Sequence, residues 1–109
     1  MSYLVKYYVN YRNEDVVKNF ITKLDKATYS KCLRLLDTLT VNGPNIIFPY
    51  SRKLTKNLSE LRTTGKNPIR LIYTNFGNTF VILHAFQKKT KQTPLKEIHI
   101  AESRRLTLI

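Results

Sequence analysis

The spacing of apolar positions changes along the chain and marks out its elements. Aromatic and β-branched residues crowd Tyr3 to Val9 and predict an opening strand. Asn13-Glu14-Asp15 offers a helix cap with acids in the first turn, and Val16, Val17, Phe20, Ile21 and Leu24 follow at helical spacing, predicting a helix over 14–24. Asp25 can cap a second helix with an apolar face of Tyr29, Cys32, Leu33, Leu36 and Leu39, which Asn42-Gly43-Pro44 should stop.

Residues 45–57 lack a clear period, and Ile46-Ile47-Phe48 reads as a plug for the core. From Leu58 to Arg62 the pattern alternates, with Leu58, Glu60 and Arg62 on one side and Ser59 and Leu61 on the other. After a turn at 63–68, alternation resumes over Ile69 to Asn75, placing Arg70, Ile72 and Thr74 together. Asn75-Phe76-Gly77-Asn78 closes a hairpin into Thr79 to Phe86, whose near-continuous apolar run suits a central strand covered on both faces. Thr93-Pro94 reads as a cap followed by proline at the first helical position, opening a helix over 94–106. The predicted fold is one α+β domain over 1–109. It has a small antiparallel meander sheet of about four strands, two N-terminal helices and one C-terminal helix.

Charge adds the functional clue. The 109 residues carry a net charge of +12. Nine cations against the single acid Glu60, between Arg52 and Lys91, supply eight of those charges. They lie on segments predicted as strands, so they should form rows on a sheet, a surface that attracts phosphate esters. Nucleic acid is the leading partner and an anionic membrane surface the second. No apolar run reaches the ~20 residues of a membrane span, and residues 1–6 lack a signal-peptide order. The lone Cys32 fits a reducing cytosol. No metal-ligand spacing and no glycine-rich phosphate loop is present, so neither metal nor cofactor is expected.

The candidate chemistry is phosphodiester cleavage without a metal. RNA carries its own nucleophile, the 2′-hydroxyl. Guanidinium forks can hold two phosphate oxygens at once, and preorganised positive charge is often the largest catalytic contribution. The candidate catalytic residues are Glu60, Arg62, Arg70, His84, Lys88 and Lys89, with Lys53, Lys56, Lys66 and Lys91 as RNA contacts. Glu60 is either a general base or a strand acid paired with Arg62 or Arg70. His84 is a core histidine or an acid–base group. Cys32 reads as core, and Tyr3, Tyr7, Tyr8 and Tyr11 suit either packing or base stacking.

The ordered motifs Glu60-Leu61-Arg62, Ile69-Arg70-Leu71-Ile72-Tyr73, Leu83-His84-Ala85-Phe86-Gln87-Lys88-Lys89-Thr90, Thr93-Pro94, Glu97-Ile98 and Ala101-x-x-Arg104 resemble the RelE/ParE toxin superfamily. They are most similar to its HigB-like, phage-derived branch. The resemblance implies a RelE-like fold and a bacterial cytoplasmic endoribonuclease that enters the ribosomal A site and cuts messenger RNA. It implies Arg70 as the phosphate-binding arginine, with Lys88, Lys89, Arg62 and Lys53 on the same face. It further implies a helix-turn-helix (HigA-like) antitoxin through which alone the complex meets operator DNA. A ParE-like gyrase poison of the same fold and a non-catalytic basic protein on ribosomal RNA are the alternatives.

Overall fold

The structure is a computed structural model that describes residues 3–45 and 50–108. Strand β1 (Leu4–Tyr7) leads to helix α1 (Val16–Thr22) and helix α2 (Lys26–Asn42). Four strands follow, β2 (Ser51–Lys53), β3 (Ser59–Arg62), β4 (Ile69–Phe76) and β5 (Thr79–Gln87), and then helix α3 (Leu95–Arg105). The sheet order is β1-β5-β4-β3-β2.

Two features correct the predicted sheet. It has five strands, because β2 forms inside the stretch that showed no period. Three residues are too few to reveal alternation, and β2 depends on pairing with β3. The sheet is also mixed. β1 runs parallel to β5, with Leu4 opposite Thr79 and Tyr7 opposite Ile82. The α1–α2 hairpin carries the chain from β1 at one edge of the sheet to β2 at the other, and the β2-β3-β4-β5 meander then brings β5 back beside β1. The apolar plug at 46–48 lies outside the described residues.

Helix ends moved by a few residues for identifiable reasons. Asp25 caps α2 as expected, its carboxylate accepting from Thr28 N at 3.1 Å and from Thr28 Oγ1 at 2.6 Å. Asp15 precedes α1 without a side-chain cap bond. Leu33, predicted for the inner face of α2, is exposed, and Leu35 is buried in its place. Thr93 does not cap α3. Pro94 takes that position, and the Thr93 hydroxyl is used elsewhere.

The two faces of the sheet are covered by different helices. Tyr7 lies among Tyr29, Cys32 and Asp15, so that face carries α1 and α2. Their buried Val17, Ile21, Cys32, Leu36 and Leu39 join Leu61, Leu71, Phe80 and Ile82 in the core. Burial pushes the Cys32 thiol up to about 11, leaving it a core residue with little thiolate. The other face carries α3, which covers only part of it. That partial cover leaves the β3–β2 side of this face clear of α3.

Gly43 ends α2 at φ 56°, ψ −129°, a backbone region costly for any side chain. A Cβ there would lie 2.4 Å from the Tyr3 ring, which packs edge-on against Phe80. Gly43→Ala is expected to lower unfolding free energy by about 1–3 kcal/mol, read from a urea midpoint. Gly77 has a similar φ of 66° but nothing within 4 Å, so Gly77→Ala should cost less.

Candidate active site

Cross-strand register defines the site. Arg52 stands opposite Glu60, Glu60 opposite Ile72, and Ile72 opposite His84. In the adjoining row Arg62 faces Arg70, which faces Phe86. Directly opposed residues share a face, so Arg52, Glu60, Arg62 and Arg70 converge there from three strands. Lys88, just beyond β5, joins them. Its backbone N–H is tied to Pro68 O at 2.8 Å.

Glu60 and Arg70 form the floor. They are 0% and 1% exposed, so neither is the surface charge that the alternating pattern implied. Arg70 Nη1 donates to Glu60 Oε1 at 2.5 Å. The Thr93 hydroxyl donates to Glu60 Oε2 at 2.7 Å and accepts from the same Arg70 Nη1 at 3.3 Å. Arg70 Nη2 is buried with no hydrogen-bond partner among the described residues. Burial lowers the Arg70 pKa, Glu60 opposes it, and the nearby Arg62 and Arg52 charges lower it further. An arginine stays protonated nonetheless. The pair is therefore a fixed dipolar floor beneath a cationic rim of Arg52, Arg62 and Lys88.

Lys88 is the member of that rim with a shifted ionisation. Desolvation first, then the Arg70 and Arg62 charges, hold its ammonium below the usual lysine range, with Glu60 opposing and Lys91 adding to the drop. Such an ammonium gives up its proton more readily than an ordinary lysine.

His84 belongs to a different cluster. Ile72 separates it from Glu60 in the register, roughly 10 Å across two strand spacings. Its Nε2 meets Glu97 Oε1 at 2.9 Å, and Arg104 Nη1 approaches its Nδ1 at 3.4 Å. The same Arg104 Nη1 donates to Leu83 O at 2.8 Å, and the guanidinium lies 5.1 Å from the centre of the Tyr8 ring. Leu83 is the residue left over where the β4–β5 register shifts. Arg104 thus satisfies the carbonyl that the bulge removes from the ladder. These bonds dock α3 on β5, and they occupy both ring nitrogens of His84.

Burial lowers the His84 pKa from 6.5 despite Glu97, which raises it. The neutral ring then donates from Nε2 to Glu97 and accepts at Nδ1 from Arg104. The sign of the stability effect follows. A depressed folded pKa gives stability that is full above the unfolded value of 6.5 and is lost as pH falls through the lower folded value. The urea midpoint should drop between pH 7.5 and pH 5, and His84→Gln should flatten that part of the profile.

The remaining predicted contacts are dispersed. Lys53 stands opposite Ser59, which stands opposite Tyr73, on the face away from Glu60. This corrects the expectation that Lys53 lines the Arg70 face: adjacent strand residues point to opposite sides. Lys53 and Lys56 instead border a cavity of about 380 Å³ with Ser59, Tyr73 and Asn75. There the Ser51 and Tyr73 hydroxyls are 2.9 Å apart. Lys66 is exposed on the β3–β4 turn, and Lys89 and Lys91 are exposed on the β5–α3 loop. Arg52 and Thr93 were the residues that pattern reading missed. Arg52 sits in a strand too short to recognise, and Thr93 imitates a helix cap. Among the described residues no group of three or more His, Cys, Asp or Glu is placed to hold a metal. No described helix is long and apolar enough to cross a membrane.

A mixed five-stranded sheet flanked by three helices, with cations gathered over a buried acid–arginine pair, defines a small basic α+β protein. Residues 19–106 match the family described as Phage derived protein Gp49-like (DUF891), and the chain belongs to that family. The family stands in the context of toxin–antitoxin toxins of RelE/HigB-like type. No curated protein matches the chain.

Proposed function

We propose that this protein is the toxin of a toxin–antitoxin pair and cuts messenger RNA on the ribosome. The observation that carries the reading is the convergence of Arg52, Arg62 and Lys88 over the buried Arg70–Glu60 pair. A bent phosphodiester seated there meets positive charge that is already in place. The 2′-oxygen attacks phosphorus while the bond to the 5′-oxygen breaks, giving a 2′,3′-cyclic phosphate and a 5′-hydroxyl. Arg62 and Arg52 hold the non-bridging oxygens as charge builds. Lys88, with its lowered pKa, protonates the departing 5′-oxygen.

In this reading Arg70 is a positioning residue as the chain rests. It fixes Glu60 and the cationic rim, and phosphate reaches its guanidinium only if Thr93 moves aside. Glu60 becomes the base for the 2′-hydroxyl once that hydroxyl replaces Thr93 at Oε2. His84 anchors α3. Lys89, Lys91 and Lys66 draw the message in through long-range charge. The partner that silences the toxin is an antitoxin with a helix-turn-helix, which carries the complex to operator DNA.

The test is a translating extract supplied with the purified chain. Primer extension should find cuts inside translated codons, with 5′-hydroxyl ends, and none when ribosomes are left out. Intact messages together with relaxed plasmid DNA in a gyrase assay would transfer the chain to the gyrase-poisoning relatives of this fold.

A further inference from the structure

Where the β2 side of the sheet meets α2 lies a second concave surface, of about 340 Å³, lined chiefly by Lys31, Arg34, Leu35, Tyr50, Arg62 and Thr64. Its chemistry differs from that of the Glu60 floor. Two cations of α2, Lys31 and Arg34, stand beside an apolar wall, and no acid lines the groove among the described residues. Tyr50 leaves 53% of its surface exposed beside them. An exposed ring between cations is how single-stranded nucleic acid is held, the base stacking and the phosphate pairing.

The groove is also prepared for an anion. Lys31 Nζ donates to Thr64 O at 2.9 Å, which fixes the ammonium at the rim with two of its three donors left over. Gly65 makes that position possible, because a Cβ at this residue would lie 2.6 Å from Lys31 Nζ. Arg62 joins the two surfaces. Its backbone N–H donates to Tyr50 O at 2.9 Å, it lines the groove, and its charge acts on Arg70 and on Lys88.

We propose that this groove binds one nucleotide of single-stranded RNA next to the phosphate to be cut, with the base on Tyr50 and its phosphate on Lys31 and Arg34. The inference rests on the reading of the chain as an RNA-cutting toxin. It makes the message wrap from the Glu60 floor past Arg62 to α2.

The test uses a fluorescent ten-nucleotide RNA of mixed sequence, 2′-O-methylated so that it cannot be cut, with anisotropy measured at several salt concentrations. Tyr50→Ala should weaken binding about tenfold, within the range for losing one stacked base, and Tyr50→Phe should bind like the parent. Arg34→Ala should reduce the slope of log affinity against log salt by about one. Circular dichroism confirms that each variant is folded. Parental affinity and slope in both Tyr50→Ala and Arg34→Ala would overturn the proposal, as would equal losses in Tyr50→Phe and Tyr50→Ala, or no RNA binding by the parent. The two readings fail separately. A parent that spares messages in the extract while Tyr50→Ala loses RNA affinity sinks the toxin mechanism and keeps the groove. A parent that cuts messages while Tyr50→Ala binds normally does the reverse.

Discussion

Truncating Glu60 to alanine is expected to lower the unfolding free energy by about 3–5 kcal/mol, the loss typical when one partner of a buried ion pair is removed. The substitution leaves the Arg70 charge buried, with Nη2 already lacking a partner and Nη1 reduced to the 3.3 Å contact with Thr93. Arg70→Ala should cost a similar amount, because Glu60 would lose the guanidinium that pairs with it in the buried floor. Replacing both at once, Glu60→Leu with Arg70→Met, should recover most of the loss, since an apolar pair of similar volume suits a buried site. Guanidinium unfolding of the two single variants and the double variant checks this. Single variants within 1 kcal/mol of the parent would mean that the pair is solvated in solution.

The second large effect falls on activity. Lys88→Ala is expected to slow message cutting in the translating extract about 100-fold, the lower end of the scale for removing a general acid. Its stability should hardly change, because the Lys88 side chain makes no hydrogen bond or ion pair among the described residues and the backbone bond to Pro68 survives. That contrast makes Lys88 a better probe than Arg70. An inactive Arg70→Ala would report a damaged fold as readily as a lost phosphate contact. Lys89→Ala, on the exposed loop, should have a much smaller effect at physiological salt. Cutting by Lys88→Ala at the parental rate would remove Lys88 from the chemistry.

The buried pair shows how the sequence misleads. Alternation over Leu58 to Arg62 and over Ile69 to Asn75 placed Glu60, Arg62 and Arg70 on one face, and the register agrees. It could not show that α3 begins above this face, since that depends on where Thr93 lands after β5 closes the sheet. The same contact turns a surface acid into a buried one. Lys53 illustrates the opposite case. The resemblance put it on the Arg70 face, whereas the pairing of β2 with β3 sends Lys53 and Arg52 to opposite sides.

His84 was legible as a histidine in an apolar strand, for which core packing and acid–base chemistry were both open. Glu97 and Arg104, which settle its surroundings, are 13 and 20 residues away in sequence. Both belong to the α3 motifs Glu97-Ile98 and Ala101-x-x-Arg104, and their spacing has a physical reason. One helix face carries a carboxylate for Nε2 and a guanidinium that spans Nδ1 and the Leu83 carbonyl.

The sequence by itself determined the strand and helix identities with strong periods, the stop at Gly43, the turn at Gly77 and the excess of positive charge between Arg52 and Lys91. These depend on neighbours within a few positions, where side-chain period, backbone freedom and charge can be read directly. Only the tertiary structure decided that β1 lies parallel to β5, that three residues pair as β2, that Glu60 and Arg70 are buried under Thr93, and that Arg62 joins two surfaces. Each of those is set by contacts between distant segments, and local pattern carries no record of which segment closes over which.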